Sequence, residues 1–395
     1  MIKRENYLKQ IRPLIGNDQI KVLTGIRRGG KSVMLEHIRE ELIRQGVSPE
    51  RFIAYNFEEM RNLPLRKAES LFHAVAERMA QIDGKAYLFF DEIQEVRGCE
   101  EFIENLQKSY DCEIFLAGSC SDVPAGSFVR FKIFPFSFAE FKEMYIQLYP
   151  GAPENEIFVR FFQLGGMPAL GSLRMEEDAS KLYLKDLFGS LVLQDIVRRN
   201  EIRDVELLER VIGFVFAHPG TSLSANYISG QFKKEGRITA RETILNYLEY
   251  GVKASLFYRI PRHDLKRDKL LTVGDKFYLA DHGIREAVFG GQIKEINMIL
   301  ENIVLLELLR RGYRVTAGLT GSSAIDFVCE RGDSRIYIQV AYILASPQIE
   351  EQEFGAYDAV RDHYPKYVLS MDETDLSQKG IRHRNIRDFL VDPSW

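Results

Sequence analysis

Short, mainly apolar runs alternate with longer amphipathic stretches over the first 118 residues. Apolar runs at 20–24, 52–57, 87–90 and 113–117 indicate strands that are covered on both faces. Between them, apolar residues recur at three- and four-residue spacing over 32–45, 68–82 and 102–110, which predicts helices. This order, with right-handed crossovers, predicts an α/β fold with a parallel sheet between two helical layers.

The pattern changes beyond this segment, and four parts are predicted. Residues 1–142 form the α/β core, 143–204 a helical lid, 205–290 three helices and a β-hairpin, and 291–395 a small α/β domain. The third helix of the 205–290 segment is predicted to begin with a capping box, Thr239 to Glu242. Three helices followed by a hairpin are typical of a winged helix-turn-helix.

Composition narrows the possibilities only slightly. The 395-residue chain has a formal net charge of −4, so any affinity for nucleic acid must come from a local patch. Its four cysteines show no C-x-x-C spacing, which favours free thiols in a reducing compartment over a zinc site. The N-terminal sequence lacks the apolar segment of a signal peptide, and no stretch approaches the ~18 apolar residues of a membrane span. We therefore expect a cytoplasmic, soluble protein with no membrane partner.

The strongest chemical signal is the octapeptide 25–32, which matches G-x-x-x-x-G-K-[ST] in full. It follows a predicted strand and opens a predicted helix, as a phosphate-binding P-loop requires. Lys31 is expected to bridge the β- and γ-phosphates of ATP, and the Ser32 hydroxyl to ligate Mg²⁺. The predicted nucleotide-binding residues are Gly25, Ile26, Arg27, Arg28, Gly29, Gly30, Lys31, Ser32 and Val33.

Two acidic residues end the strand at 87–90, where a P-loop fold places its second half-site. Asp91 is predicted to hold Mg²⁺ through water, and Glu92 to orient the attacking water as a catalytic base. Ser119 ends the next strand, and is either a sensor of the γ-phosphate or an ordinary turn residue.

These stretches, taken together, resemble the prokaryotic AAA-type ATPases that carry a C-terminal domain of unknown function and are related to the archaeal ATPases. The resemblance spans nearly the whole chain, in the family's order, through LTGIRRGGKS (23–32), YLFFDEIQEV (87–96), IFLAGS (114–119), PFSFAEF (135–141), LGGMPA (164–169), KFYLADHG (276–283) and AIDFVCE (324–330). It implies an ATPase core, a winged-helix segment, a C-terminal domain like the PD-(D/E)xK nucleases, and assembly into homo-oligomers.

One departure from the family pattern bears on turnover. Members usually carry a longer loop before PFSFAEF that ends in a Gly-Arg motif, whereas alignment back from Pro135 puts Ser127 at the arginine position. An arginine at the γ-phosphate can be worth ~10³–10⁵ in turnover. Hydrolysis is then expected to be slow unless Arg130, Arg27 or Arg28 substitutes.

Basic residues cluster in the winged-helix segment. Arg241 lies in the capped helix, and Lys266, Arg267 and Lys269 lie at the hairpin tip. In a winged helix-turn-helix that helix enters the major groove and the wing follows the phosphates, which predicts contact with double-stranded DNA. Solvated basic side chains, or a protein partner, are the alternatives.

The C-terminal domain retains only part of the nuclease pattern that the resemblance implies. Asp326 and then Gln339 stand at metal-ligand positions, and Glu301 on the preceding helix is in the right order for a further ligand, but Ala341 stands at the lysine position. A catalytically inactive relic is the preferred interpretation.

Three functional hypotheses follow. The first is an AAA-type ATPase that uses ATP and Mg²⁺ to drive or switch the winged-helix and nuclease-like module on DNA. The second is a nucleotide-dependent protein-interaction switch with negligible hydrolysis. The third, a metal-dependent nuclease powered by ATP, is disfavoured by Ala341.

Overall fold

The computed structural model describes residues 2–118, 128–290, 296–321 and 323–394. The chain divides into two compact units, residues 1–134 and 135–395. The predicted division into four parts is finer than this and stays a prediction.

The first unit is a parallel sheet with helices around it. Its elements are α1 (Glu5–Ile11), β1 (Ile20–Thr24), α2 (Lys31–Arg44), β2 (Phe52–Asn56), α3 (Ala68–Met79), β3 (Ala86–Asp91), α4 (Cys99–Ser109), β4 (Cys112–Ala117) and β5 (Phe128–Lys132). In the described part of this unit the sheet order is β2-β3-β4-β1-β5, and every pairing is parallel. The carboxyl ends of β1, β2, β3 and β4 therefore meet at one edge of the sheet. The predicted α/β class is confirmed.

The core on one side of this sheet explains why the strands carry consecutive apolar residues. Leu88 and Phe90 of β3 and Ile114 and Leu116 of β4 are buried against α3 and α4. On the other side Phe89 stacks on Phe115, with ring centroids 4.9 Å apart. Both faces of β3 and β4 are thus covered, as the absence of alternation predicts.

The fifth strand was not predicted. β5 runs parallel to β1 at the sheet edge, and Arg130 and Lys132 are exposed on either side of the buried Phe131. With one buried position, this edge strand gives a weak sequence signal.

The second unit begins with helices. These are α5 (Phe138–Leu148), α6 (Glu154–Leu164), α7 (Glu177–Ser190) with a π-helical extension (Leu191–Arg198), α8 (Val205–Ala217), α9 (Ala225–Lys234), α10 (Arg241–Lys253) and α11 (His282–Phe289). The predicted capping box of α10 is wrong. Its N-cap is Ala240, no side chain caps it, and the Thr239 hydroxyl is buried without a partner.

The remaining strands form two sheets. Among the described residues, β6 (Phe257–Ile260) and β9 (Lys276–Leu279) form an antiparallel two-stranded sheet. The larger sheet has the order β14-β13-β12-β11-β10-β7-β8 among the described residues. Its strands are β7 (Arg262–Asp264), β8 (Lys269–Leu270), β10 (Arg314–Thr320), β11 (Ser323–Arg331), β12 (Ser334–Val340), β13 (Lys366–Ser370) and β14 (Arg382–Asn385), with α12 (Ile296–Arg310), α13 (Pro347–Gly355) and α14 (Ile386–Val391) between or after them.

The predicted single hairpin is therefore divided between two sheets. The stretch predicted as its basic loop contains β7 and β8, and β7 pairs in parallel with β10 of the larger sheet. The prediction of one hairpin failed because β7 pairs with a strand about fifty residues away, which no local pattern indicates.

Two sequence motifs meet at a buried junction between α6 and α11. The Asp281 carboxylate accepts hydrogen bonds from the backbone N–H groups of Gly166, at 2.7 Å, and Ile284, at 3.1 Å. A Cβ on Gly283 would overlap the Leu164 carbonyl, so the helices approach more closely than other residues permit. The LGGMPA and LADHG motifs thus have a structural role in this junction.

No helix within the described ranges is both long and apolar enough to cross a membrane.

Candidate nucleotide-binding site

The loop between β1 and α2 has the conformation of a phosphate cradle. Gly25 has a φ of +136°, and a Cβ there would overlap the Ile133 carbonyl oxygen. Gly30 has a φ of +102° and is the N-cap of α2. Both positions lie in the left-handed region that favours glycine, and the helix N-terminus adds about half a positive charge facing the cradle. The glycine pattern of the motif is thereby explained.

Lys31 lies folded over this loop. Its ammonium donates to the carbonyl oxygens of Gly25 and Ile26, both at 3.2 Å, and lies 3.9 Å from the Glu92 carboxylate. The side chain is 5% exposed, so its charge is held inside the cradle where a polyphosphate would need it. Lys31 thus lies between the loop and Glu92.

Asp91 is the buried carboxylate of the site. The Ser32 hydroxyl hydrogen-bonds to it, and the Asn56 amide donates to it at 3.4 Å. Burial raises the pKa of Asp91 to about 6, while the Ser32 hydrogen bond opposes that rise. A hydroxyl and a carboxylate side by side form an oxygen donor set that suits Mg²⁺. The two predicted metal residues are thus brought together.

Glu92 lies in the left-handed region, with φ +53° and ψ +44°. Its carboxylate accepts a hydrogen bond from the Gln94 amide, and Gln94 also packs against Gly118 at the end of β4. A non-glycine residue held in this region indicates an enforced conformation, which is common at functional sites. The backbone conformation and the hydrogen bond from Gln94 therefore fix the position of the Glu92 carboxylate.

The other predicted nucleotide-binding residues have individual environments. Ile26 is fully buried and Val33 half-buried, Arg27 forms an ion pair with Glu58, and Arg28 is exposed with a φ of +60°. Gly29 makes a backbone turn to Ile26, and its carbonyl accepts a hydrogen bond from Arg4 at 3.2 Å. Ser119 and Ser127 lie outside the described residues.

Two contributors to the site were missed from the sequence. Asn56 ends β2 directly opposite Asp91 of β3, and Arg4 reaches the loop from the N-terminal helix. The polar residue at the end of an apolar strand could have indicated Asn56. Arg4 has no such signal, because its contact depends on how α1 folds back.

The predicted DNA-contacting residues fall in two places. Arg241 lines a recess of about 450 Å³ together with Arg259 and Arg262, between α9, α10 and residues 272–275. Lys266, Arg267 and Lys269 are exposed at the turn between β7 and β8, which is not part of that recess. The predicted patch is thus two separate basic groups within the second unit.

The acidic remnant of the C-terminal domain contains a lysine that sequence reasoning missed. Lys276 of β9 lies 3.1 Å from the Glu301 carboxylate and 3.8 Å from that of Asp326. Gln339 accepts a hydrogen bond from the Asp326 N–H and donates to Glu353, while Ala341 is buried. Burial and the charge of Glu301 raise the pKa of Asp326. Over the described residues, no His, Cys, Asp and Glu group has the arrangement of a metal site.

Comparison with known proteins agrees with this geometry. Residues 17–142 match the family described as an AAA domain, and residues 155–295 match a domain of unknown function, DUF8612. An uncharacterized protein of Haemophilus influenzae is 31% identical over 99% of both chains. An uncharacterized protein of Methanocaldococcus jannaschii is 29% identical over 95% of this chain and 85% of its own length.

A solved structure shares the fold. The Walker-type ATPase PABY2304 of Pyrococcus abyssi superposes with a TM-score of 0.53 at 16% identity, over 73% of this chain and 95% of that one. The sheet order, the loop and its acidic partners thus define a P-loop ATPase fold. The chain belongs to the prokaryotic AAA-type ATPases that carry a domain of unknown function after the ATPase core.

Proposed function

We propose that the protein binds ATP with Mg²⁺ and hydrolyses it. The observation that carries this proposal is the meeting of Lys31, Ser32, Asp91 and Glu92 around one loop with the geometry of a phosphate cradle. The backbone N–H groups and Lys31 would bind the phosphates, and Ser32 with Asp91 would hold Mg²⁺, which neutralises charge on the β- and γ-phosphates.

Glu92 is the proposed catalytic base. Its carboxylate is held by Gln94 and lies beside Lys31, close to where a γ-phosphate would contact the ammonium. From there it would orient the attacking water and accept its proton. Ser119 remains the proposed γ-phosphate sensor.

Steady-state phosphate release tests the hydrolysis. Release by the wild-type chain should fall by about 10²-fold or more in Glu92→Gln, while ATP binding is retained. Lys31→Ala should lose both. Glu95→Gln, an exposed glutamate three residues away, is the matched control and should retain activity. Unchanged turnover in Glu92→Gln would refute the assignment of the base.

A nucleotide-dependent switch without turnover is the second candidate, and the serine at position 127 favours it. Of the proposed substitutes for the usual arginine, Arg27 forms an ion pair with Glu58, and Arg130 stacks on the Phe128 ring at 4.6 Å. Tight ATP binding with no phosphate release would support the switch. If homo-oligomers form, a neighbouring copy could supply the arginine, and turnover would then rise with protein concentration.

We further propose that nucleotide state acts on an attached module that binds double-stranded DNA. Three helices α8, α9 and α10 followed by the β6–β9 pair support a winged-helix arrangement. Arg241, at the first turn of α10, is the proposed groove contact, and Lys266, Arg267 and Lys269 are proposed phosphate contacts.

Salt-dependent binding to a DNA duplex tests this surface. Each lost phosphate contact should flatten the slope of log K against log salt by about 0.9. Lys266→Ala/Lys269→Ala should therefore flatten it by about 2, whereas the exposed pair Lys185→Ala/Arg203→Ala should leave it unchanged. Equal slopes in all three proteins would remove the hairpin from the interface.

The C-terminal domain is proposed to act as a binding module with a nuclease-like fold and no nuclease activity. Ala341 at the lysine position and the ion pair of Lys276 with Glu301, 3.8 Å from the Asp326 carboxylate, support this. Plasmid cleavage with Mg²⁺ or Mn²⁺ that disappears in Asp326→Ala would overturn it.

A further inference from the structure

A basic and aromatic surface lies at the edge of the seven-stranded sheet, apart from the acidic remnant. Two recesses of about 500 Å³ and 460 Å³ adjoin there and share Tyr364, Pro365 and Arg382. The larger one is lined by Arg331, Arg335, Arg382 and Arg384, with Asp333 as the one acidic residue among its described lining. The smaller one is lined by Asp358 and Asp362 together with Lys366 and Lys379. In a chain with net charge −4, this local excess of guanidinium groups is a departure from the average surface.

The sheet itself sets the spacing of the outermost arginines. Arg382 and Arg384 are exposed on edge strand β14 and alternate with His383 and Asn385, which are buried. This period of two puts both guanidinium groups on one face of the strand. The Arg384 guanidinium interacts electrostatically with the carboxylates of Asp375 and Asp392. The Arg382 guanidinium donates to the Tyr367 hydroxyl at 3.4 Å and lies near that residue's ring.

Three of these guanidinium groups lie near tyrosine rings. Arg331 lies 4.6 Å from the Tyr313 ring centroid, Arg382 5.9 Å from that of Tyr367, and Arg335 5.7 Å from that of Tyr364. A stacked guanidinium uses its face for the ring and keeps its in-plane N–H donors for a phosphate or carboxylate. Arg335 also pairs with Glu330, so its charge is compensated.

Tyr364 adds a feature that a simple anion site does not need. Its side chain is 41% exposed and lines both recesses, with the Arg335 guanidinium 5.7 Å from its ring centroid. Unpaired bases stack on such rings, whereas the bases of a duplex are already stacked on each other. Phosphate-binding arginines beside an exposed aromatic ring match the pattern of single-strand binding.

We propose that this surface binds single-stranded nucleic acid, with phosphates on Arg331, Arg382 and Arg384 and one base on Tyr364. It is separate from the residues proposed to contact duplex DNA, and it requires no nucleotide at the P-loop. The two proposals can therefore fail independently.

Fluorescence anisotropy with a labelled dodecathymidylate tests the site on the full chain. Arg382→Ala/Arg384→Ala should weaken binding by about tenfold per arginine and flatten the salt slope by about 1.4, since each phosphate contact on a single strand contributes about 0.7. Tyr364→Ala should weaken binding about fivefold or more with the slope unchanged, and Tyr364→Phe should bind as wild type.

A matched control variant measures how specific the loss of binding is to this surface. Lys185→Ala/Arg203→Ala also removes two exposed positive charges and should bind the oligonucleotide normally. Wild-type affinity in Arg382→Ala/Arg384→Ala would overturn the proposal. Binding of polyglutamate without binding of the oligonucleotide would also overturn it and would assign the surface to an acidic protein. So would an equal loss of affinity for a matched duplex and for the single strand in the variants of this surface.

Discussion

A buried ion pair between β1 and β4 provides a sharp test of what stabilises the first unit. Lys21 of β1 and Glu113 of β4 are both 0% exposed, and Lys21 Nζ lies 2.6 Å from Glu113 Oε1. Asn17 accepts a second hydrogen bond from Lys21 at 2.8 Å, and the Gly16 N–H donates to both Glu113 oxygens. The pair joins the strand that leads into the cradle to the strand that ends at Gly118.

Removing one partner should cost far more than removing both. Glu113→Gln leaves the Lys21 ammonium buried without a counter-charge, which costs about 3–5 kcal/mol. For a unit of 134 residues this corresponds to a fall in Tm of roughly 10–15 °C. Lys21→Met/Glu113→Leu removes both charges and keeps similar volumes, so it should lie within about 1 kcal/mol of wild type. The exposed Gly16 can take a water in place of the carboxylate.

Scanning calorimetry on the wild type, the single variants Lys21→Met and Glu113→Leu, and the double variant Lys21→Met/Glu113→Leu completes the cycle, with Glu113→Gln measured beside them. A favourable coupling energy of several kcal/mol is expected, with the double variant more stable than either single one. If the double variant is destabilised by the sum of the single effects, the charges do not compensate each other and the reasoning is refuted.

Three further predictions concern other parts of the chain. Gly25→Ala should weaken ATP binding about tenfold or more, whereas Gly46→Ala, also at positive φ but with open space around it, should not. Burial lowers the pKa of His282 to about 4, so the stability that is present above pH 6.5 is lost as the pH falls. By pH 5 the free energy of unfolding of the wild type should have fallen by about 2 kcal/mol more than that of His282→Phe. Equal losses of the two proteins in urea titrations would contradict this. Lys276→Met should destabilise the second unit by about 2–4 kcal/mol, and adding Glu301→Gln should restore part of it in thermal melts.

Features that depend on local sequence gave the clearest sequence signals. The glycine spacing of the P-loop, the apolar strand before it and the Asp91–Glu92 pair all lie within a few residues of the signal that reveals them. The parallel direction of the strands followed from the βα alternation with right-handed crossovers.

Features that depend on distant pairing could not be predicted in this way. Asn56 reaches Asp91 only because β2 and β3 are neighbours, and Lys276 reaches Asp326 from a strand fifty residues earlier. The basic loop became part of the larger sheet through the pairing of β7 with β10. Thr239 failed as a cap although its local sequence is favourable, since the helix begins one residue later than the pattern requires.

A structure with ATP and Mg²⁺ bound would test the nucleotide site most directly. The prediction is that Lys31 leaves the carbonyl oxygens of Gly25 and Ile26 for the β- and γ-phosphates, with Ser32 and Asp91 around Mg²⁺ and Glu92 facing a water at the γ-phosphate. Nucleotide bound elsewhere, or Lys31 still hydrogen-bonded to the loop carbonyls with Mg²⁺ away from Asp91, would contradict it.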